Sequence, residues 1–185
     1  MSTSRRNGFV PCRSLTGGQT FRTGMYQTST NLVRTLGIGD PIVAVSGYVQ
    51  RWTTANASSF VGVVRAVYNS NKRPTTFNQP TLGPYLPAST AGWVEVYDDP
   101  HITYTVECVT SIGQSLMGLP TDVNISALTS ATGISGFHLQ TATASDISGN
   151  FRIIGLAPSE LAVTAAGSPN NRVEVAVVLH AYNRQ

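Results

Sequence analysis

The chain has 185 residues, 41% of them hydrophobic and only 11% charged, with twelve basic and nine acidic side chains for a net charge of +3. That length holds one domain with a sizeable core, and a charged fraction far below the usual ~25% excludes highly charged disorder and the charge-rich heptads of coiled coils. Hydroxyls take the place of charge: 18 Ser and 22 Thr accompany a single lysine, Lys72.

Residues 1–35 carry neither a helical nor a strand period. Arg, Ser, Thr and Gly are interspersed with isolated apolar side chains, Phe9, Val10, Leu15, Phe21, Met25 and Tyr26. Side chains so spaced cannot build a core of their own, but each can fill a pocket on another surface. The pattern predicts an extended N-terminal arm over 1–35, whose deletion to Arg22 would leave the rest folded. From Leu36 the texture is β throughout, a body over 36–185. Residues 41–45 and 48–52 flank Ser46-Gly47, a turn dipeptide, and read as a hairpin. Further strands are predicted at 60–68, 92–97, 102–109, 136–142, 151–156 and 172–182. Trp93, Glu95 and Tyr97 alternate with Val94 and Val96, and Ile102, Tyr104 and Val106 with Thr103, Thr105 and Glu107, the signature of half-buried strands.

Two segments read as long loops, 69–90 with four prolines and 120–135. The prolines forbid a continuous helix in the first, and a loop of that length in a compact domain points to a contact role. Only 157–162 has the composition for a helical turn. The predicted fold is all-β, a β-barrel or jelly-roll-like sandwich with an extended N-terminal arm.

His101, His138 and His180 share no ligand spacing with one another or with Cys12 and Cys108, so no metal site and no cofactor is expected. The cysteines read as reduced small hydrophobes. Glu95, Asp98, Asp99 and His101 surround Pro100, but Asp-Asp-Pro is foremost a turn sequence. Ser115 and Ser135 lack the flanking glycines of a nucleophile elbow, and no phosphate-binding glycine loop is present. An enzyme is not expected. Nor is a membrane span, because the most apolar stretch, 173–181, is short and contains Glu174 and His180. The basic N-terminus is not followed by an apolar run, which predicts a chain made and kept in a cytoplasm.

Charge is unevenly sorted. Residues 1–73 carry nine basic side chains against Asp40 alone, and 74–185 carry three against eight acidic ones. A basic first part raises the question of nucleic acid, yet no nucleic-acid-binding motif is legible. Eleven arginines to one lysine favour planar pairing with carboxylates at a protein interface, so direct DNA contact is not expected.

Five segments in order, Gly8-Phe9-Val10-Pro11-Cys12-Arg13, Leu36-Gly-Ile-Gly-Asp-Pro-Ile42, Phe60-Val-Gly-Val-Val64, Tyr97-Asp-Asp-Pro100 and Gly113-Gln114, resemble the capsid cement or decoration proteins of tailed bacteriophages. The resemblance implies a virion protein on the outer capsid surface, made in the host bacterial cytoplasm. It would stabilise the expanded shell by bridging neighbouring major capsid subunits, as a homo-oligomer such as a trimer. It further implies that Phe9, Val10, Phe21, Met25 and Tyr26 fill pockets on the capsid while Arg5, Arg6, Arg13 and Arg22 pair with capsid carboxylates. The alternative is a phage tail or fibre component, or a carbohydrate-binding β-domain in which Trp52 and Trp93 stack on sugars; both tryptophans sit in strand-like runs that suit a core equally well.

Overall fold

The computed structural model describes residues 8–17, 20–30, 34–53, 60–75, 85–108, 114–124, 132–140, 149–157, 172–178 and 180–181. Within them the strands are β1 (Val10–Ser14), β2 (Thr23–Gln27), β3 (Leu36–Gly37), β4 (Pro41–Val45), β5 (Tyr48–Arg51), β6 (Phe60–Tyr68), β7 (Tyr85–Leu86), β8 (Trp93–Tyr97), β9 (Ile102–Glu107), β10 (Pro120–Asn124), β11 (His138–Gln140), β12 (Phe151–Leu156) and β13 (Arg172–Val177), with one 3-10 turn at Gln114–Leu116. The helical turn expected at 157–162 lies, beyond Ala157, outside the described residues.

All strand pairs are antiparallel and form a six-stranded sheet, β1-β9-β13-β12-β10-β11, a five-stranded sheet, β2-β8-β6-β4-β5, and the short pair β3-β7. The two large sheets pack face to face as a sandwich, the all-β layering predicted from the alternation. Between them lies the main core, to which one sheet gives Ile102, Tyr104, Val106, Phe151, Ile153, Val173 and Val175 and the other Val43, Phe60 and Val63. Trp52, Phe60 and Phe151 stack there with ring centroids 5.5–5.7 Å apart, a spacing that suits aromatic quadrupoles.

The five-stranded sheet also buries its second face. Thr28 bridges Val49, bringing the sheet's two outer strands together, and the curl encloses Ile42, Val49, Val61, Val64, Val67, Val94 and Val96 with Leu36 and Leu86 from β3 and β7. This is why 60–64 reads as an unbroken apolar run: a strand buried on both faces has no solvent side to mark. The predicted hairpin is present as β4–β5, with Val45 opposite Tyr48. Ser46 and Gly47 both have positive φ, 51° and 83°, the two-residue turn whose twist matches that of the flanking strands.

Residues 10–14 and 23–27 are extended, as expected of 1–35, but they do not stand apart from the body. β1 pairs with β9 and β2 with β8, so the first segment supplies one outer strand to each sheet, beside two strands that follow one another in the chain but belong to different sheets. Physically, β8 and β9 each have one unsatisfied edge, and pairing there meets the backbone groups of both partners. The loop expected over 120–135 likewise contains β10. Its Pro, Asp and Asn disfavour a strand locally, and pairing with β11 and β12 overrides that.

Three of the resembling segments meet at one buried node. Phe9 N donates to Gly39 O, Gly39 N to Val64 O and Val64 N to Asp40 O, all at 2.9–3.0 Å. Gly8 has φ +61°, and a Cβ there would strike Ser135 and the Gly39 carbonyl. Asp40 is wholly buried; its Oδ2 lies 3.1 Å from Arg51 Nε and accepts from Gly37 N at 2.9 Å. Arg51 in turn lies 4.6 Å over the Phe137 ring. Burial pushes the Asp40 carboxyl up to about 6, against the pull of Arg51 and its hydrogen bonds.

Candidate functional site

The residues expected to bind a partner fall into four sets. Arg5 and Arg6 lie outside the described residues. Phe9 is a correction: it is 1% exposed and packs edge-on to Tyr104 and against Phe151 at 6.1 and 4.9 Å, so it holds the chain's own core together and reaches no partner. Phe21 is half-buried against Tyr97, and Tyr26 points its hydroxyl at Asp98. Val10, Arg13, Arg22 and Met25 are exposed and lie on or beside the two outer strands.

Val10 and Arg13 lie on β1 beside β9, with Leu15 at the turn after it, and Met25 lies on β2 beside β8, with Arg22 just before it. Leu15 N donates to His101 O at 2.9 Å, tying the end of β1 to the connection between β8 and β9. Leu15 and Met25 are 56% and 44% exposed, large values for apolar residues.

Both of these arginines rest on a carboxylate. Arg13 donates from Nε to Glu174 Oε1 at 2.6 Å, and the Thr103 hydroxyl donates to the same oxygen at 2.6 Å. Thr103 is thereby buried under Arg13, as Glu174 is, which is why β9 is more than half-buried despite its alternation. Arg22 donates from Nε to Asp98 Oδ1 at 2.9 Å and from Nη2 to the Asp98 carbonyl at 3.0 Å. Tyr26 donates to Asp98 Oδ2 at 2.7 Å. Gly24 makes room for this: a Cβ there would lie 2.7 Å from Asp98 Oδ2 and 2.8 Å from the Tyr26 ring. Across β8 from Met25, Glu95 accepts from Arg65 Nη1 and from the Tyr68 hydroxyl. These carboxylates raise the arginine pKa values further, so the guanidiniums stay charged.

Glu174, Asp98, Glu95 and Arg65 had no predicted place in a site. For Glu174 a signal was present, an acid inside the apolar run Val173–Val175, which must find a partner if its strand is buried. Asp99 makes the expected turn, accepting from His101 N at 2.9 Å, while Asp98 is diverted to Arg22. Of the two tryptophans weighed for sugars, Trp52 is buried in the core and Trp93 has the Lys72 ammonium 4.1 Å above its ring. Among the described residues no group of three or more His, Cys, Asp or Glu stands together to hold a metal ion, and no helix is long and apolar enough to cross a membrane.

No family model matches the chain, and no curated protein and no solved structure matches it either.

Proposed function

We propose that this chain is a structural virion protein that binds the outer surface of a phage capsid, stabilising the expanded shell by bridging neighbouring capsid subunits. The two outer strands β1 and β2 carry the reading. Along them and at their ends lie exposed Val10, Leu15 and Met25 and the outward guanidiniums of Arg13 and Arg22, the mixture of apolar and guanidinium groups that protein interfaces favour. The resemblance of the five sequence segments supplies the phage context. Stabilisation follows from mass action, since a ligand that binds only the expanded shell favours that state, and repetition over many equivalent sites adds avidity.

Co-sedimentation with expanded and unexpanded shells of the corresponding major capsid protein tests this. Binding to expanded shells alone is expected, with Leu15→Asp and Met25→Asp each weakening it at least tenfold while leaving the melting temperature within a few degrees, as exposed substitutions do. Wild-type protein that stays in the supernatant with both shells would refute the proposal.

A further inference from the structure

Strand register gathers a mixed patch on one face of the five-stranded sheet. Met25 lies opposite Glu95 and Gln27 opposite Trp93 across β2 and β8, while Ala66 lies opposite Glu95 and Tyr68 opposite Trp93 across β6 and β8. Residues directly opposite one another share a face. Further along the same face, Tyr97 and Val63 pack into the main core, and Phe21 sits edge-on to Tyr97. That cover does not extend over the rest: Trp93, Glu95 and Tyr68 are partly buried, and Met25 and Gln27 are exposed.

Two irregularities of the backbone bring cations to this patch. Arg65 falls at the register shift between Val64 and Ala66, a bulge of the kind that redirects a side chain. Its guanidinium donates to Glu95 and lies 6.0 Å over the Tyr97 ring. Lys72, the chain's only lysine, has φ +58°, left-handed backbone that is costly for a residue with a Cβ. It sits in a turn closed by Asn69, whose Oδ1 accepts from Asn71 N and Arg73 N, and its ammonium stands 4.1 Å above the Trp93 ring. Glu95 also accepts from the Tyr68 hydroxyl at 3.2 Å, so one sunken acid, 17% exposed, holds two of its neighbours in place. Trp, Tyr, Met and Arg are the residue types that protein interfaces concentrate, and here they stand together with their one carboxylate already engaged.

We infer that this patch receives a protein segment bearing a carboxylate beside an aliphatic side chain, the carboxylate meeting Arg65 and Lys72 and the aliphatic group covering Met25 and Trp93. The inference rests on the proposed capsid reading and names the face and the partner chemistry of the contact at β2. Charge decides for an acid, because the exposed charges of the patch, Arg65 and Lys72, are both positive. A second copy of the chain is a poor occupant, since among the described side chains no carboxylate is exposed. A base or sugar ring stacking over Trp93 would have to displace the Lys72 ammonium, and Tyr68 is tethered through its hydroxyl.

The experiment uses the full chain with the variants Lys72→Glu and Arg65→Gln, and Arg152→Gln as a control at an exposed arginine on β12 of the other sheet. Because Lys72 is the only lysine, its acylation by an N-hydroxysuccinimide ester, mapped by mass spectrometry, reads whether the patch is covered. Binding is measured to expanded capsid shells, to synthetic peptides of alternating Glu and Leu or Gln and Leu, to a thymidine oligonucleotide and to a cello-oligosaccharide, with sedimentation for self-association. Shells and the Glu–Leu peptide are expected to slow acylation of Lys72 about tenfold, Lys72→Glu and Arg65→Gln to weaken binding of both about tenfold, and Arg152→Gln to change neither. Shells bound with Lys72 acylated at its free rate and with the variants unweakened would overturn the inference and leave the capsid reading standing. A Glu–Leu peptide that covers Lys72 while shells are ignored would overturn the capsid reading and leave the acid-binding patch standing. A Glu–Leu peptide bound no better than the Gln–Leu one, or more weakly than the oligonucleotide or the sugar, would overturn the inferred chemistry, and self-association that covers Lys72 would give the patch to a second copy. Should Arg65→Gln fail to fold, Lys72→Glu, in an exposed turn, carries the same comparison.

Discussion

Asp40 shows how one side chain can tie two segments together. Its carboxyl holds the 37–40 turn through Gly37 N and pairs with Arg51 in a fully buried setting. Removing one partner of such a pair leaves an uncompensated buried charge, so Asp40→Ala is expected to cost about 3–5 kcal/mol, read from urea unfolding. The pH dependence has a definite sign. Because the folded carboxyl is raised to about 6 from 3.8, the Asp40 contribution is complete below the lower value and fades as pH rises through the upper one. His180 acts oppositely: burial lowers its pKa from 6.5, so its contribution is lost as pH falls below that value. His180→Gln should therefore gain stability on acidification from pH 6.5 toward 4 relative to the wild type, measured as the shift in denaturation midpoint. Phe9 belongs to the same scale. Phe9→Ala is expected to cost about 3–5 kcal/mol, against less than about 0.5 kcal/mol for Met25→Ala on the exposed side of β2.

At the level of elements, the first strands matter because they finish the sheets. An outer strand offers unpaired backbone groups to other chains, and β1 blunts that hazard with Pro11 and with the register break between Pro11 and Arg13. A partner is thereby steered to side chains and away from strand addition. The same integration reverses the expectation for truncation: deleting residues 1–22 removes β1 and Phe9, so the body should lose its cooperative melting transition. Gly24→Ala should loosen the Arg22–Asp98–Tyr26 clasp, lowering both the melting temperature and binding, whereas Gly47→Ala, in a turn needing positive φ, should cost about 1 kcal/mol and leave binding unchanged.

Across the whole molecule, the sorting of charge along the chain becomes sorting by depth. The basic first part and the acidic remainder meet as pairs, Arg13 with Glu174, Arg22 with Asp98 and Arg65 with Glu95, and in each the acid lies beneath. Because the guanidinium of each pair stands half in water, solvent screens the attraction and the pairs add little stability, so moderate salt should shift the melting temperature only slightly. Binding to capsid shells should weaken with salt, but with a shallower slope than uncompensated arginines would give, a comparison available from affinity measured across ionic strengths.

The alternation at 93–97, the turn at Ser46-Gly47 and the unbroken run at 60–64 made the sheets and the hairpin legible, because strand period and turn geometry are local properties of the backbone. Val10, Arg13, Arg22 and Met25 were legible as surface residues for the same local reason, being apolar or cationic side chains in a stretch without a core pattern. What the chain's own order could not reveal was which partners lay across space. Phe9 looks like Phe21 in sequence, yet one completes the core and the other borders it. Asp98 and Asp99 read as one turn, yet Arg22 claims the first. The placing of β1 and β2, the burial of Glu174 and the outward turn of Arg13 were decided only by tertiary structure, because they depend on contacts between residues far apart in the chain, where desolvation and pairing outweigh local preference.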